Sequence, residues 1–260
     1  MTHEVYMQMV LLAGMWISPI FLLAGFRYEF ISADLMHCVC LGIVQYMLGN
    51  ILFELCFGEE MNGRITKPQE VLGDMMVMLR LASKQLKLKK RPIGTLTLGM
   101  IRAEGKPPKL KTKAAEGRRL VPVLRWVLEN LFKQDTPHKE LRYKCLMHLD
   151  ELYKSMDVPD DKFDAKLTSS HGRRHVLLYA ELGVEALERQ SHQTQGWISY
   201  KFYPKHHMTV HCVEEQVLNS GNPRHNWCYM DEDAIGKAVD VAEQLHASTL
   251  HKSVVTRHRL

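Results

Sequence analysis

Residues 31–57 read ISADLMHCVCLGIVQYMLGNILFELCF, and this stretch decides the fold. Apolar side chains recur along it every three or four residues, which is the period of an α-helix with a broad apolar face. Ser32 or Asp34 is placed to cap its start, because both side chains accept hydrogen bonds from free backbone N–H groups. The pattern therefore predicts a long helix with one side in a core. Its apolar stripe consists of Leu35, Val39, Ile43, Tyr46, Met47, Ile51 and Leu55.

The rest of the chain repeats this helical pattern, and prolines lie at or near the start of several segments, as is typical of a first helical turn. Pro122 lies inside one segment, where a proline kinks a helix or delays its start. Residues 95–101 alternate in a way that predicts a short strand. We therefore expect a mainly α fold with few short strands. The predicted helices span residues 69–86, 112–132, 139–156, 159–190, 204–218 and 232–246.

Positive charge is concentrated in one region. The chain of 260 residues has a net charge of +5, yet residues 84–119 alone hold twelve Lys or Arg and two acidic residues. Such a local excess favours contact with a polyanion such as DNA, although a solvated lysine-rich loop has the same composition. The DNA-binding candidates are Lys89, Lys90, Arg91, Lys109, Lys111, Lys113, Arg118 and Arg119.

The cysteines give no sign of a disulfide framework or a zinc ribbon, because the six of them contain no C-x-x-C pair. We expect a reducing compartment. The sequence also lacks the P-loop, dinucleotide-binding and G-x-S-x-G motifs, so it has none of these three common enzyme signatures.

The N-terminal segment at residues 5–26 contains no charged side chain and is long enough to cross a membrane as a helix. It lacks a basic start, so a cleaved signal peptide fits poorly. Three interpretations remain open: a membrane anchor, a helix or strand pair in the core of a truncated domain, and non-native sequence before the true start. We divide the chain into this apolar segment (1–30), a helical domain with the basic loop (31–200) and C-terminal helices (201–260).

Several segments, in order, resemble a cut-and-paste DNA transposase of the CACTA-type and related families. Residues 34–37, Asp-Leu-Met-His, match the D-x-x-H element of those families, and residues 109–119 resemble their K-A-x-E-x-R segment. Residues 203–208 are similar to the histidine-containing helix before the last catalytic acid, and residues 227–233 to the block around that acid. The resemblance implies a helical insertion domain with remnants of an α/β RNase H-like core, DNA as the partner and a nuclear location.

The same resemblance implies a chemistry. Carboxylates of that family hold two Mg²⁺ ions that drive DNA strand cleavage and transfer. It assigns the catalytic, metal-binding carboxylates to Asp34 and to Glu232, with Asp231 and Asp233 as adjacent alternatives to Glu232. Aspartates expected upstream have no candidate, because none of the 33 residues before Asp34 is Asp. We therefore expect an N-terminally truncated, catalytically incomplete protein that binds nucleic acid, with Mg²⁺ only where the site is completed.

The motif residues are His37, His207 and His211, and each has a second interpretation. His37 fits a core histidine bonded to a carbonyl. His207 and His211 lie four residues apart on one helix face, which also fits a metal site with Glu214 or Glu215 as a further ligand.

The two carboxylates also fit structural roles, Asp34 as a helix cap and Glu232 as a first-turn acid that interacts favourably with the helix dipole. Two functions of other classes therefore stay open beside the transposase-derived one. The first is a membrane-anchored helical protein with a basic face, and the second is a helical protein-interaction module.

Overall fold

Helices form the regular structure of this computed structural model, which describes residues 3–14, 19, 23–24, 33–57, 67–102, 105–190, 198–229, 235, 237 and 239. No strand occurs within those ranges. The prediction of a mainly α fold is therefore confirmed. The chain divides into two units, Met1–His225 and Asn226–Leu260.

The first helix, α1 (His3–Leu12), has Glu4 in its first turn and then enters the uncharged N-terminal segment. Val10 is buried, whereas Val5, Met9 and Leu11 are exposed and Leu12 is 88% exposed. Residues 15–18, 20–22 and 25–26 lie outside the described residues. The choice between a membrane anchor, a core element and a non-native start stays a prediction.

The second helix, α2 (Met36–Phe57), is the stretch that the apolar stripe predicts. It is π-helical over Met36–Ile43 and α-helical over Val44–Phe57. Its stripe residues Ile43, Met47 and Ile51 are fully buried, which confirms the predicted helix and its core face. α2 has the length and composition of a membrane span, but so do core helices, and most of it is buried in the protein.

The third helix, α3 (Pro68–Gln85), begins at the proline that the sequence indicates. The strand predicted at residues 95–101 is wrong, because a single helical turn, α4 (Leu98–Ile101), occupies its second half. The Met100 N–H donates to the Thr97 carbonyl over 3.0 Å. A strand needs a ladder of bonds to a neighbouring strand, and the described part of the chain supplies none here.

Two long helices follow the basic region. α5 (Ala114–Leu131) contains Pro122 within its length, so the proline does not delay its start. α6 (Pro137–Met156) begins after Thr136, whose side-chain oxygen accepts a hydrogen bond from the Lys139 N–H over 3.3 Å. This cap replaces one of the bonds that a first helical turn lacks.

The longest helix, α7 (Ala165–Gln190), starts later than predicted. Pro159 is followed by a short 3₁₀ turn, Asp160–Lys162, rather than by the helix itself. Asp164 then accepts a hydrogen bond from the Leu167 N–H over 2.9 Å, so this carboxylate sets the start of α7. α7 packs against α6 along much of its length.

Helix α8 has three consecutive segments: α-helical Pro204–Val210, π-helical His211–Gln216 and α-helical Val217–Ser220. It packs against the start of α2 and against α7, and it belongs to the first unit. The domain boundary expected at residue 200 stays a prediction.

A buried polar cluster ties these helices together. Glu54 of α2 accepts hydrogen bonds from Arg142 Nη1 over 3.0 Å and from the Tyr200 hydroxyl over 2.9 Å. His138 Nε2 lies 3.0 Å from the other Glu54 oxygen, and its Nδ1 lies 2.9 Å from Glu185. Arg142 is fully buried, so its ion pair with Glu54 compensates a charge that would otherwise be costly in the interior.

The second unit is described only in part. The rings of Trp227 and Tyr229 meet edge to face, with centroids 5.2 Å apart. Ile235, Lys237 and Val239 are helical, in agreement with the helix predicted over 232–246. Residues 231–233, and Glu232 with them, lie outside the described residues.

Candidate nucleic-acid interface

The lysine-rich loop at residues 106–113 is held in place by its backbone. The Leu110 N–H donates to the Gln45 carbonyl over 2.8 Å, and Gln45 Nε2 donates to the Thr112 carbonyl over 2.8 Å. The Lys109 and Lys111 N–H groups donate to carbonyls of α4, over 2.9 and 2.8 Å. The loop is therefore more than a solvated connection, because bonds to α2 and α4 fix where its lysines project.

Gly49 makes this docking sterically feasible. A Cβ atom added there would lie 2.7 Å from the Leu110 nitrogen and 2.7 Å from the Lys109 Cα. Both are backbone atoms, so they cannot move aside as a flexible side chain would. Glycine has no Cβ atom, so it lets the backbones of the loop and of α2 approach this closely.

The fixed loop forms one wall of a cleft of about 830 Å³. Four lysines line it, and their charge exceeds that of the single lining acid, Glu116. Glu116 also accepts a hydrogen bond from the Lys113 N–H over 3.0 Å, at the start of α5. The lining residues are Gln45, Tyr46, Lys106, Pro107, Lys109, Lys111, Thr112, Lys113, Glu116 and Tyr203.

Two tyrosines form the aromatic part of the cleft. The rings of Tyr46 and Tyr203 are stacked with centroids 4.2 Å apart. Lys109 Nζ lies 5.2 Å from the centre of the Tyr46 ring, and Lys201 Nζ lies 5.7 Å from that of Tyr203. Ammonium groups over aromatic faces are held by the ring quadrupole, so the tyrosines orient cations at the cleft.

The electrostatics of the cleft favour an anionic ligand. Partial burial and the positive charge of Lys205 lower the pKa of Lys109. A negative group that contacts both ammonium groups offsets their mutual repulsion. A phosphate group supplies such a partner, because its oxygens accept several charge-assisted hydrogen bonds.

The predicted DNA-binding residues divide into two groups. Lys109, Lys111 and Lys113 line the cleft together, whereas Lys89, Lys90, Arg91 and Arg119 are exposed and are not among its lining residues. Arg118 does not line the cleft either. It forms an ion pair with Asp157, and its guanidinium carbon lies 5.1 Å from the centre of the Tyr153 ring.

The sequence analysis missed the tyrosines and Lys106. Tyr46 was assigned to the apolar stripe of α2, and Tyr203 to the histidine-containing motif. No local signal joins residues so far apart in the chain. Lys106 could have been predicted as a DNA-binding residue, because it belongs to the same basic region as Lys109.

The D-x-x-H residues lie beside one another at the start of α2. Asp34 accepts hydrogen bonds from the Met36 N–H over 3.1 Å and from the His37 N–H over 3.0 Å. One of its oxygens also contacts His37 Nδ1. The capping role suggested for Asp34 is thereby confirmed, and its catalytic role stays a prediction. Lys205 Nζ donates to the His37 carbonyl over 3.1 Å, which connects this turn to α8 near the cleft.

The described residues at this turn do not fit a Mg²⁺ site. Mg²⁺ prefers an octahedron of oxygen ligands, usually with one or two carboxylates. Asp34 offers one carboxylate whose oxygens already accept hydrogen bonds, and its side-chain neighbour is the imidazole of His37. Glu232, the other predicted ligand, lies outside the described residues. We therefore derive no catalytic step through Mg²⁺.

The remaining motif histidines face each other on α8. His207 Nε2 lies 3.1 Å from His211 Nε2, and the rings meet edge to face. His211 Nδ1 lies 2.8 Å from a Glu215 oxygen, whereas Glu214 pairs with Arg173 over 3.4 Å. The i, i+4 spacing thus brings the two imidazoles together as predicted.

Comparisons with models of known protein families, with curated proteins and with solved structures found no match to this chain.

Proposed function

We propose that this protein binds nucleic acid through the lysine cleft and derives from a CACTA-like DNA transposase. The observation that carries the proposal is a preformed cleft of about 830 Å³ with four lysines on a loop fixed by backbone hydrogen bonds. A loop whose backbone is already held in place loses little backbone freedom when it meets a polyanion, so such a cleft suits a phosphate backbone.

The transposase origin, with a helical insertion domain and remnants of an RNase H-like core, has separate support. Contacts of α8 bring three resembling segments near one another. Lys205, within the histidine-containing segment, donates a hydrogen bond to the carbonyl of His37. Its charge also adds to burial in lowering the pKa of Lys109 in the K-A-x-E-x-R segment. A site built from several motifs requires those motifs to lie near one another, and these contacts meet that requirement.

The proposed binding is electrostatic and independent of base sequence. Lysines that neutralise phosphates release counterions, so affinity falls as salt concentration rises. The cleft offers no arrangement for reading base edges in the described contacts, and the tyrosine faces already hold ammonium groups. We therefore expect similar affinity for unrelated DNA sequences.

The test compares two charge reversals of equal size. Lys109→Glu/Lys111→Glu removes cleft cations, and Lys89→Glu/Lys90→Glu removes the same charge from exposed positions of the basic region. Fluorescence anisotropy with a short random-sequence DNA duplex, at several salt concentrations, measures affinity and its salt slope. The cleft variant should lose at least about tenfold in affinity and about two units of salt slope, one per lost phosphate contact.

The control should retain most of the affinity and the slope of the unmodified protein. Equal loss in both variants would assign binding to net charge rather than to the cleft, and absence of binding by the unmodified protein would reject the function itself.

A further inference from the structure

A pair of histidines on α8 has the geometry of a metal chelate. His207 Nε2 and His211 Nε2 lie 3.1 Å apart. Two nitrogen ligands of a tetrahedral Zn²⁺ ion, each about 2.0–2.1 Å from the metal, lie about 3.3 Å from each other. The pair therefore needs only a small adjustment to hold an ion between its two nitrogens.

Backbone structure fixes this spacing. The His211 N–H donates to the His207 carbonyl, so the two residues are one helical turn apart where the α-helical segment passes into the π-helical one. Side chains separated by one turn share a helix face. The site is part of a rigid element, and chelation does not require a loop to fold.

Glu215 contacts the far ring nitrogen of His211. Its carboxylate lies 2.8 Å from His211 Nδ1 and is acceptor-only when ionised, so it selects the tautomer with the proton on Nδ1. His211 Nε2 is then left with its lone pair facing His207. A carboxylate bonded to the far nitrogen of a metal-binding histidine is the usual arrangement around protein-bound zinc, where it orients the ring and raises its basicity.

The same geometry explains the state without metal. With the proton of His211 on Nδ1, the 3.1 Å contact is a hydrogen bond that His207 Nε2–H donates to His211 Nε2. Metal binding then moves the proton of His207 to its exposed Nδ1 and frees both Nε2 lone pairs. No oxidant or other reactant is needed.

We propose that His207 and His211 bind a divalent late transition-metal ion, with Zn²⁺ as the representative, and that Glu215 is a positioning residue. Imidazole suits Zn²⁺ and Cu²⁺ rather than Mg²⁺. The His211 side chain is 39% exposed, so water completes the coordination shell. This site is independent of the nucleic-acid cleft and of the Mg²⁺ chemistry that the family resemblance implies.

A second histidine pair provides a matched comparison. His148 Nδ1 and His171 Nδ1 lie 3.2 Å apart, across α6 and α7. Burial, together with the positive charge of Arg174, lowers the pKa of each. The charge of Glu151 opposes this effect at both histidines, but the contacts at this pair include no carboxylate bonded to a ring nitrogen.

The test is isothermal titration of the full chain with Zn²⁺ alone, under reducing conditions. We expect His207→Ala and His211→Ala to remove the same binding event, with at least tenfold weaker affinity in each. Glu215→Gln should weaken that event about tenfold while both ligands remain. His148→Ala should bind Zn²⁺ as the unmodified protein does.

Circular dichroism checks that each variant folds. His207, His211 and Glu215 are at least partly exposed on α8, and His148 is half-buried on α6. Unchanged Zn²⁺ affinity in His207→Ala or His211→Ala would overturn the proposal. Loss of Zn²⁺ binding in His148→Ala would show that the metal binds at the His148–His171 pair, and it would also overturn the proposal.

Discussion

At the scale of single residues, Gly49 determines whether the basic loop can reach α2. The Lys109 and Leu110 backbone passes so close that a methyl group has no room. A helix-interior glycine ordinarily lowers helix stability relative to alanine. Its presence in a buried helix is therefore explained by the close approach of the loop, and the cleft depends on that approach.

Gly49→Ala should destabilise the protein by about 1–3 kcal/mol, because the inserted methyl group overlaps backbone atoms and forces the loop outward. Urea unfolding measures the free energy, and anisotropy with duplex DNA should show weaker binding. Gly73→Ala on α3 is the matched control, since a Cβ there meets nothing within 4 Å. The control should gain up to about 1 kcal/mol from helix propensity. A neutral Gly49→Ala would contradict the proposed docking of the loop.

At the scale of helices, the Glu54 cluster joins α2 and α6 to the segment before α8. Burial raises the pKa of Glu54, but the hydrogen bond from His138 and the charge of Arg142 outweigh burial and hold the pKa below its usual range. Glu54 is therefore ionised beside a fully buried guanidinium. Such pairs contribute more to the arrangement of the helices than to net stability, because desolvation offsets much of the attraction.

Glu54→Gln keeps the shape of the side chain and removes its charge. The free energy of unfolding should fall by about 3 kcal/mol or more, because the buried charge of Arg142 loses its counter-ion. Glu140→Gln makes the same chemical change in an exposed ion pair with Lys144, where the loss should stay below about 1 kcal/mol. Similar losses in both variants, measured by urea unfolding, would show that the cluster does not anchor Arg142.

At the scale of the whole molecule, two fully buried histidines make the fold sensitive to acid. Burial lowers the pKa of His175 and of His206 to about 4 each. The unfolded chain would titrate both near pH 6.5. Each therefore contributes stability that is fully present above about pH 6.5 and is lost as the pH falls towards 4.

The free energy of unfolding should accordingly fall between pH 6.5 and pH 4, by about 3 kcal/mol for each histidine. Urea unfolding at several pH values measures this slope. His175→Leu should remove about half of the pH-dependent fall in unfolding free energy that these two histidines cause. This holds whatever the stability of the variant at pH 7. An unchanged slope in His175→Leu would mean that His175 is protonated in the folded protein.

The sequence by itself determined the helices, because their signals are local. Apolar periodicity predicted α2 and α3, and Pro68 and Pro204 marked helix starts that the structure has. Asp34 could be predicted as a cap because the N–H groups that it accepts from, those of Met36 and His37, follow it by two and three residues. The basic region contains all four cleft lysines, and three of them were predicted to bind DNA.

Only the tertiary structure decided the cleft, the buried cluster and the failure of the strand at 95–101. Tyr46 meets Tyr203, and Glu54 meets Arg142, across separations that no local pattern encodes. The π-helical segments of α2 and α8 share the apolar period of ordinary helices, so periodicity cannot distinguish them. Local signals fix which segments form helices. Packing, which depends on distant side chains, fixes how they meet and therefore where a ligand can bind.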